Sequence, residues 1–502
     1  MITRRAVLLV SLAAWGCGSK PETQGASTPP AEVMLADVDN GAHLYVAPKR
    51  VRTYPSTRQR VQAWIDAGDT KAIRAHAWDI WQSITAATGD SGPTWQTWYS
   101  GQEVFADGPP PASARVRNVT LPLERPRQAG HGARFARLAS NTRIPVDSFE
   151  RVFAFNRFTL PTAQYIWNHR LNDSRMLGDT LVKMMAAKLP LASLQVLTSA
   201  DSVDVGSFVI KCVFQFISKD SVTAIPYWAG NGSRFSTDSL HPPPRMWRQA
   251  VAVDPSGRRK AGDSVFKAFN GQPAQWLRVV PLSAFYHRVV TALDSANLTQ
   301  FGSENGDDLG FNSDTSLAAV QAAARPGNYA LMMAMHVTGK EIANWTWQTF
   351  WWGQNPADPL TGADRPASIP APWNHYNMTV AYSMLTKSGQ PLVAFNPYLE
   401  TSLAGYVAVK SFRDSVFWTG VSSNCMSCHR RAAVAYVTYP PHGTMTYNTS
   451  YGPAAFVGAG DSLVFVPRTS GSGRVTTLKT DFLWSVAIRA HPNPTAAATP
   501  RR

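Results

Sequence analysis

At 502 residues, with 44% hydrophobic and 16% charged side chains, the chain has the composition of a folded protein, not a disordered one, and the length for one large core or two to three smaller ones. Its formal net charge of +15 at pH 7 favours acidic protein partners or anionic membrane surfaces. Nucleic acid is disfavoured as a partner, because the basic residues are scattered singly or in short pairs such as Arg258-Arg259 and form no stripe.

Residues 1–17 read as a lipoprotein-type signal peptide. Arg4-Arg5 form a positive start, Ala6 to Trp15 an apolar run too short to span a bilayer, and Gly16-Cys17 its end. Cys17 is then the expected lipidation site, making the mature protein membrane-anchored through lipid; a plain secretory signal cut nearby is the alternative. Residues 18–44 contain Ser, Thr, Pro and Gly and suit a flexible tether.

Residues 45–200 read as mainly helical. Asp69 or Thr70 can cap a helix whose Ile73, Ala77, Ile80, Trp81 and Ile84 recur at helical spacing. Further helices are expected over 147–157 and 173–188, with Pro109-Pro110-Pro111 as a break between. Trp95-Gln96-Thr97-Trp98-Tyr99 echoes Trp347-Gln348-Thr349-Phe350-Trp351; shared ancestry of two halves is one reading, but five residues prove little, and chance or convergent packing is preferred.

Residues 201–410 read as β-rich, with strands expected over 208–217, 248–253, 277–280, 329–337 and 406–410. Cys212 shares one strand face with Phe208, Ile210, Phe214 and Phe216 and is expected as a small buried hydrophobe. Trp345, Trp347, Trp351 and Trp352 fall within eight residues. They could wall a cofactor or a docking face, but core packing is the preferred reading.

Residues 411–491 hold the chemistry, and 492–502 form a tail expected to be disordered. Cys425-Met426-Ser427-Cys428-His429 matches the C-x-x-C-H signature of covalent haem attachment. Cysteines three apart lie on neighbouring positions of one helical turn, so their sulfurs reach the two vinyl groups on one porphyrin edge. His429 then projects toward the iron as its proximal ligand. A zinc site would want a second ligand pair, and only Cys212 remains as a thiol. A redox dithiol would want a βαβ setting that the surrounding pattern lacks. The distal ligand stays open between Met445, in the Pro440-Pro441-His442-Gly443-Thr444-Met445 loop, His442 in the same loop, His336 on the 329–337 strand, other residues and an open site.

With this motif near the C-terminus, the chain resembles a little-characterised family of large exported bacterial mono-haem c-type cytochromes. The resemblance spans roughly residues 50 to 490. It is carried by Met335-His336-Val337 through Trp345-Thr346-Trp347-Gln348-Thr349-Phe350-Trp351-Trp352, by Phe395-Asn396-Pro397-Tyr398-Leu399-Glu400, by Ser423-Asn424-Cys425-Met426-Ser427-Cys428-His429, and by Thr480-Asp481-Phe482-Leu483-Trp484-Ser485. It implies one covalent haem c on Cys425, Cys428 and His429 and electron transfer, and it implies no substrate. The expectation is thus an α+β protein: a helical N-terminal part, a β-rich middle and a helical C-terminal haem segment. It would act in electron transfer in the periplasm or cell envelope and dock to acidic redox partner proteins. The size of the region before the motif keeps a haem-dependent oxidoreductase or peroxidase-like enzyme as the alternative, with a haem-free binding lipoprotein as the third.

Overall fold

Helix formation starts where the sequence supplies caps. Thr57 accepts from the Arg60 amide and starts α1 (Arg58–Ala67), which stops at Gly68 in the left-handed conformation, φ 68°. Asp69 accepts from the Ala72 amide and starts α2 (Thr70–Thr85), whose Ala77, Trp78, Ile80, Trp81 and Ile84 are all buried. A short α3 (Gly101–Val104) carries a complete Ser100/Glu103 capping box. Then come α4 (Leu160–Asn168), α5 (Ser174–Ala186), α6 (Cys425–His429) and α7 (Trp484–Arg489).

The computed structural model describes residues 45–88, 92–109, 152–186, 191–193, 206–229, 247–269, 272–296, 324–358, 361–389, 407–410, 416–419, 425–429, 432–437, 444–447 and 475–490, with 322, 392, 394 and 396–398. These residues belong to one unit, Leu44–Arg502, and combine helices and sheets as an α+β fold. The signal, Cys17, the tether, His442 and the 492–502 tail lie outside the described residues. Among the described residues no helix is long and apolar enough to cross a membrane.

The principal sheet has seven strands. Its order is β1 (Tyr99–Ser100), β2 (Val152–Phe158), β4 (Phe208–Ile217), β10 (Tyr329–Gly339), β11 (Thr346–Trp352) and β12 (Tyr376–Ala381), with β9 (His287–Val289) also on β10. All its pairings are antiparallel. Three smaller sheets accompany it: β5 (Thr223–Pro226), β6 (Ala250–Val253), β8 (Gln272–Val280), β7 (Ser264–Phe269); β13 (Val407–Lys410) with β14 (Val416–Thr419); and β16 (Thr444–Tyr447), β15 (Ala433–Val437), β17 (Val475–Lys479), β3 (Leu191–Ser193).

Antiparallel register assigns the faces of the principal sheet, since directly opposed residues share a side. One face carries Phe155, Cys212, Met335, Phe350 and Met378 in a single rank across five strands. Helix α2 covers it: the Trp81 ring stacks on Phe350 at 4.1 Å and 18°, with Trp78 at 5.7 Å from the same ring. Cys212 is wholly buried there, as its strand position predicts, and desolvation raises its thiol well above the ordinary range.

The opposite face carries the neighbouring rank, Asn156, Lys211, His336, Thr349 and Thr379, which is polar at every strand. On one side of it lie Phe158, Val209, Thr338, Trp347 and Ala381, and on the other Val213, Ala334, Trp351 and Asn377.

One sequence expectation changes. Residues 152–158 form strand β2, where the spacing of 147–157 predicts a helix; pairing along seven positions with β4 decides in favour of extended backbone. The Trp95 segment and its echo take different structures, Thr94–Thr97 a 3-10 turn and Thr346–Trp352 a buried strand, in keeping with a chance likeness.

Candidate cofactor-attachment site

The motif forms a helix of its own, α6, as the two-cysteine spacing requires. Met426 is 2% exposed and packs into a cluster with Phe158, Val209 and Trp347 of the polar-ranked face and with Leu478, Leu483 and Val486 of the C-terminal segment. Burying this one side chain packs α6 against the sheet. Cys425 is partly buried, with its sulfur 3.8 Å from the Ala394 carbonyl. The side chains of Cys428 and Met445 lie outside the described set; their backbones belong to α6 and to β16, where Met445 pairs with Tyr436 of β15.

His429 has the most defined surroundings. Its Nδ1 is 2.8 Å from the Phe482 carbonyl oxygen, and its ring lies 4.5 Å from that of Trp347, tilted by 47°. A carbonyl oxygen can only accept, so Nδ1 carries the proton and the Nε2 lone pair is left available. Desolvation lowers the imidazole to about 4, against the Phe482 bond, which raises it, and with the charges of His336 and Lys211, which lower it further. The ring is therefore neutral near pH 7, the state in which it ligates a metal.

The carbonyl that orients His429 is itself built by backbone strain and charge. Asp481 and Phe482 both adopt left-handed backbone, φ 47° and 69°, which a side chain disfavours. Thr480 closes the turn, its hydroxyl donating to the Leu483 carbonyl at 2.9 Å, while its amide donates to the Ala432 carbonyl just beyond α6 at 3.0 Å. The Asp481 carboxylate receives Lys340 Nζ at 2.9 Å on both oxygens, and these side chains are only 9% and 6% exposed. Lys340 also donates to the Ala343 carbonyl and sits 5.1 Å over the Trp345 ring. An ion pair removed from water in this way holds its turn firmly, since losing either partner strands the other charge.

His336 stands on β10 in the polar rank, two residues from Thr338, which faces Trp347. That makes it a diagonal neighbour of Trp347, at roughly 7–8 Å on ordinary sheet geometry. The polar rank is tied to the segments around it: Asn396 donates to Thr349 Oγ1 at 2.8 Å, and Asn156 to Ser485 Oγ of α7 at 3.3 Å. Described residues from each of the four segments that carry the sequence resemblance thus meet on this face: His336, Trp347 and Thr349, Asn396, Met426, and Ser485. The roles of Phe482, Lys340 and Asp481 are not evident from sequence; the signal is that each lies within one of those segments, 335–352 or 480–485.

Two thiol-bearing residues one helical turn apart, beside an imidazole with an available Nε2, are the donor set of covalent haem attachment, and these residues fit it. Among the described residues, no three His, Cys, Asp or Glu side chains gather into a metal-binding group of the zinc type. No family model, no curated protein and no solved structure matches the chain.

Proposed function

We propose that the chain is an exported c-type cytochrome of the bacterial envelope. One haem c is covalently held by Cys425 and Cys428 and ligated by His429, and it takes part in electron transfer with acidic redox partner proteins. We keep with this reading the division that makes residues 411–491 the haem-binding segment, together with lipid anchorage through Cys17. The observation that carries it is the 2.8 Å contact between His429 Nδ1 and the Phe482 carbonyl, at the end of a C-x-x-C-H helix.

A haem in this site supplies a one-electron couple. The chain's own residues do the rest. The Phe482 carbonyl fixes the His429 tautomer and makes Nε2 more electron-rich; Trp347, 4% exposed, keeps water from one side of the ring; Lys340 and Asp481 hold the carbonyl in place. As a second protein ligand to such a haem, His336 would be favoured over Met445. His336 lies on the face that receives α6, whereas Met445 sits on β16 of a separate sheet. If the second axial position is open instead, the same site serves the alternative, a haem-dependent oxidoreductase.

The test is a spectrum of the mature protein, made in cells with haem-attachment machinery, before and after acid-acetone extraction. A Soret band that survives extraction is expected, and Cys425→Ala with Cys428→Ala should abolish it. A colourless protein with both thiols free would overturn the proposal. Carbon monoxide distinguishes the two haem readings, since a six-coordinate transfer haem ignores it and an open site binds it.

A further inference from the structure

Away from the candidate site, strands β7 and β8 expose two large aromatic rings to solvent. Phe266 is 59% and Trp276 71% exposed; they stand directly opposite each other, with ring centroids 5.4 Å apart. The same side of the hairpin carries Ser264 opposite Arg278, and Arg278 is exposed. The other side is a small core of Phe269, Leu277, Val279 and Ala252, so the fold does not need the outer rings for packing.

Charge at the entrance to β7 is arranged in one direction. Residues 254–263 contain Asp254, Arg258, Arg259, Lys260 and Asp263. Asp254 accepts from the Ser256 amide and hydroxyl and from the Arg259 amide, and Asp263 accepts from the Lys260 amide. Both carboxylates thus organise the turn's own backbone, while Arg258, Arg259 and Lys260 stay exposed. The turn is clipped to β8 through Gly262 N to Val279 O at 2.9 Å and Val279 N to Asp263 O at 2.8 Å, beside Arg278.

We infer that this hairpin is a docking surface for an anionic membrane, with Trp276 and Phe266 entering the headgroup region and Arg258, Arg259, Lys260 and Arg278 meeting lipid phosphates. Amphipathic rings beside basic side chains are the combination that bilayer interfaces select. A stable protein partner needs roughly 800 Å² on each side, more than two rings at about 150–250 Å² each supply. Pairing with a second copy through edge strand β7 is disfavoured by the register shift between Lys267 and Phe269 and by Lys267 itself, which blunt that edge. The net charge of +15 points the same way. The inference is independent of the haem reading.

The test is vesicle co-flotation of the mature full chain, using phosphatidylcholine alone against an equal mixture of phosphatidylcholine and phosphatidylglycerol. An N-terminal lipid inserts into both, so the readout is the ratio of partitioning between them. The inference expects a ratio well above one that falls as salt is raised. It also expects a drop of about tenfold in Phe266→Ala/Trp276→Ala and in Arg258→Glu/Arg259→Glu/Lys260→Glu, with thermal unfolding unchanged. A ratio of one for the wild type would overturn it, as would equal ratios in wild type and variants. Salt-independent binding, or variants that lose only self-association in sedimentation while flotation stays the same, would also overturn it.

Discussion

The two faces of the principal sheet come from the same strands and differ by one residue in register, yet they are put to different uses. The rank Phe155, Cys212, Met335, Phe350 and Met378 is closed by Trp78 and Trp81 of α2. The next rank, Asn156, Lys211, His336, Thr349 and Thr379, is polar at each strand and lies on the face that receives α6 and the 480–486 segment. Burying hydroxyl, amide and imidazole groups costs stability unless each is bonded, so a polar rank on an inner face marks where a fold gives up packing for chemistry. The aromatic face explains why the protein folds; the polar face explains what the fold can hold.

The largest expected separation between the faces is in stability. Trp81 is wholly buried, and Trp81→Ala should lower unfolding stability by about 3–5 kcal/mol in denaturant titration. In cells that retain the folded fraction, haem attachment to Cys425 and Cys428 should be unaffected. Loss of attachment at equal folded protein would show that the two faces are not separable.

On the other face, Asp481→Ala leaves Lys340 charged and buried and should cost about 3 kcal/mol, less if water reaches Nζ. Lys340→Met/Asp481→Leu should be milder than either single change, because no charge is stranded. In the haem-loaded protein Asp481→Ala should also raise the reduction potential. A loosened Phe482 carbonyl draws less on the His429 Nδ1 proton, and a less electron-rich ligand stabilises oxidised iron less. A stability loss with no change in potential would make the pair structural only.

The aromatic face was the more legible of the two in sequence. Helix α2 follows from Asp69 and the spacing of Ala77, Ile80, Trp81 and Ile84, β4 from the alternation of Phe208, Ile210, Cys212, Phe214 and Phe216, and β10 from the apolar stretch Tyr329 to Met335. Strand β2 was not legible, because Val152, Phe155 and Phe158 satisfy a helical spacing while Phe153, Phe155 and Arg157 satisfy alternation; only the distant partner β4 decides. For the site, the motif identifies Cys425, Cys428 and His429 as candidates by residue type alone. The Phe482 carbonyl has no side-chain signature, and its presentation depends on two successive left-handed residues, of which Asp481 tolerates that conformation but Phe482 does not favour it. Lys340 and Asp481 are 141 residues apart, beyond any local pairing rule.

His336 offers a smaller effect that is spectral and leaves the fold in place. It is partly buried at the centre of the polar rank, so His336→Ala should change stability by less than about 1 kcal/mol. If it is the second axial ligand, the variant should turn a low-spin haem high-spin and admit carbon monoxide, while Met445→Ala should not. The reverse pattern would transfer the role to Met445.

The smallest expected effect compares the ion pairs that serve each face. On the helical side Arg74 reaches Asp364 through two nitrogens, at 2.5 and 2.7 Å, and the Trp78 indole donates to the same carboxylate at 3.0 Å. Burial alone would raise this carboxyl, but the Arg74 bonds and charge, with Trp78, outweigh it and the group sits below its ordinary value. A depressed folded value means that the unfolded chain binds the proton more tightly. The contribution is therefore fully present above the unfolded value near 3.9 and is lost as pH falls through the lower folded one. With Asp364 44% exposed, solvent holds the pair to about 0.5–1 kcal/mol, against several for Lys340 with Asp481. Asp364→Asn should flatten the acid limb of unfolding stability slightly and leave stability near pH 7 lower by no more than that amount. A loss near pH 7 as large as that of Asp481→Ala would mean that exposure does not separate the two pairs.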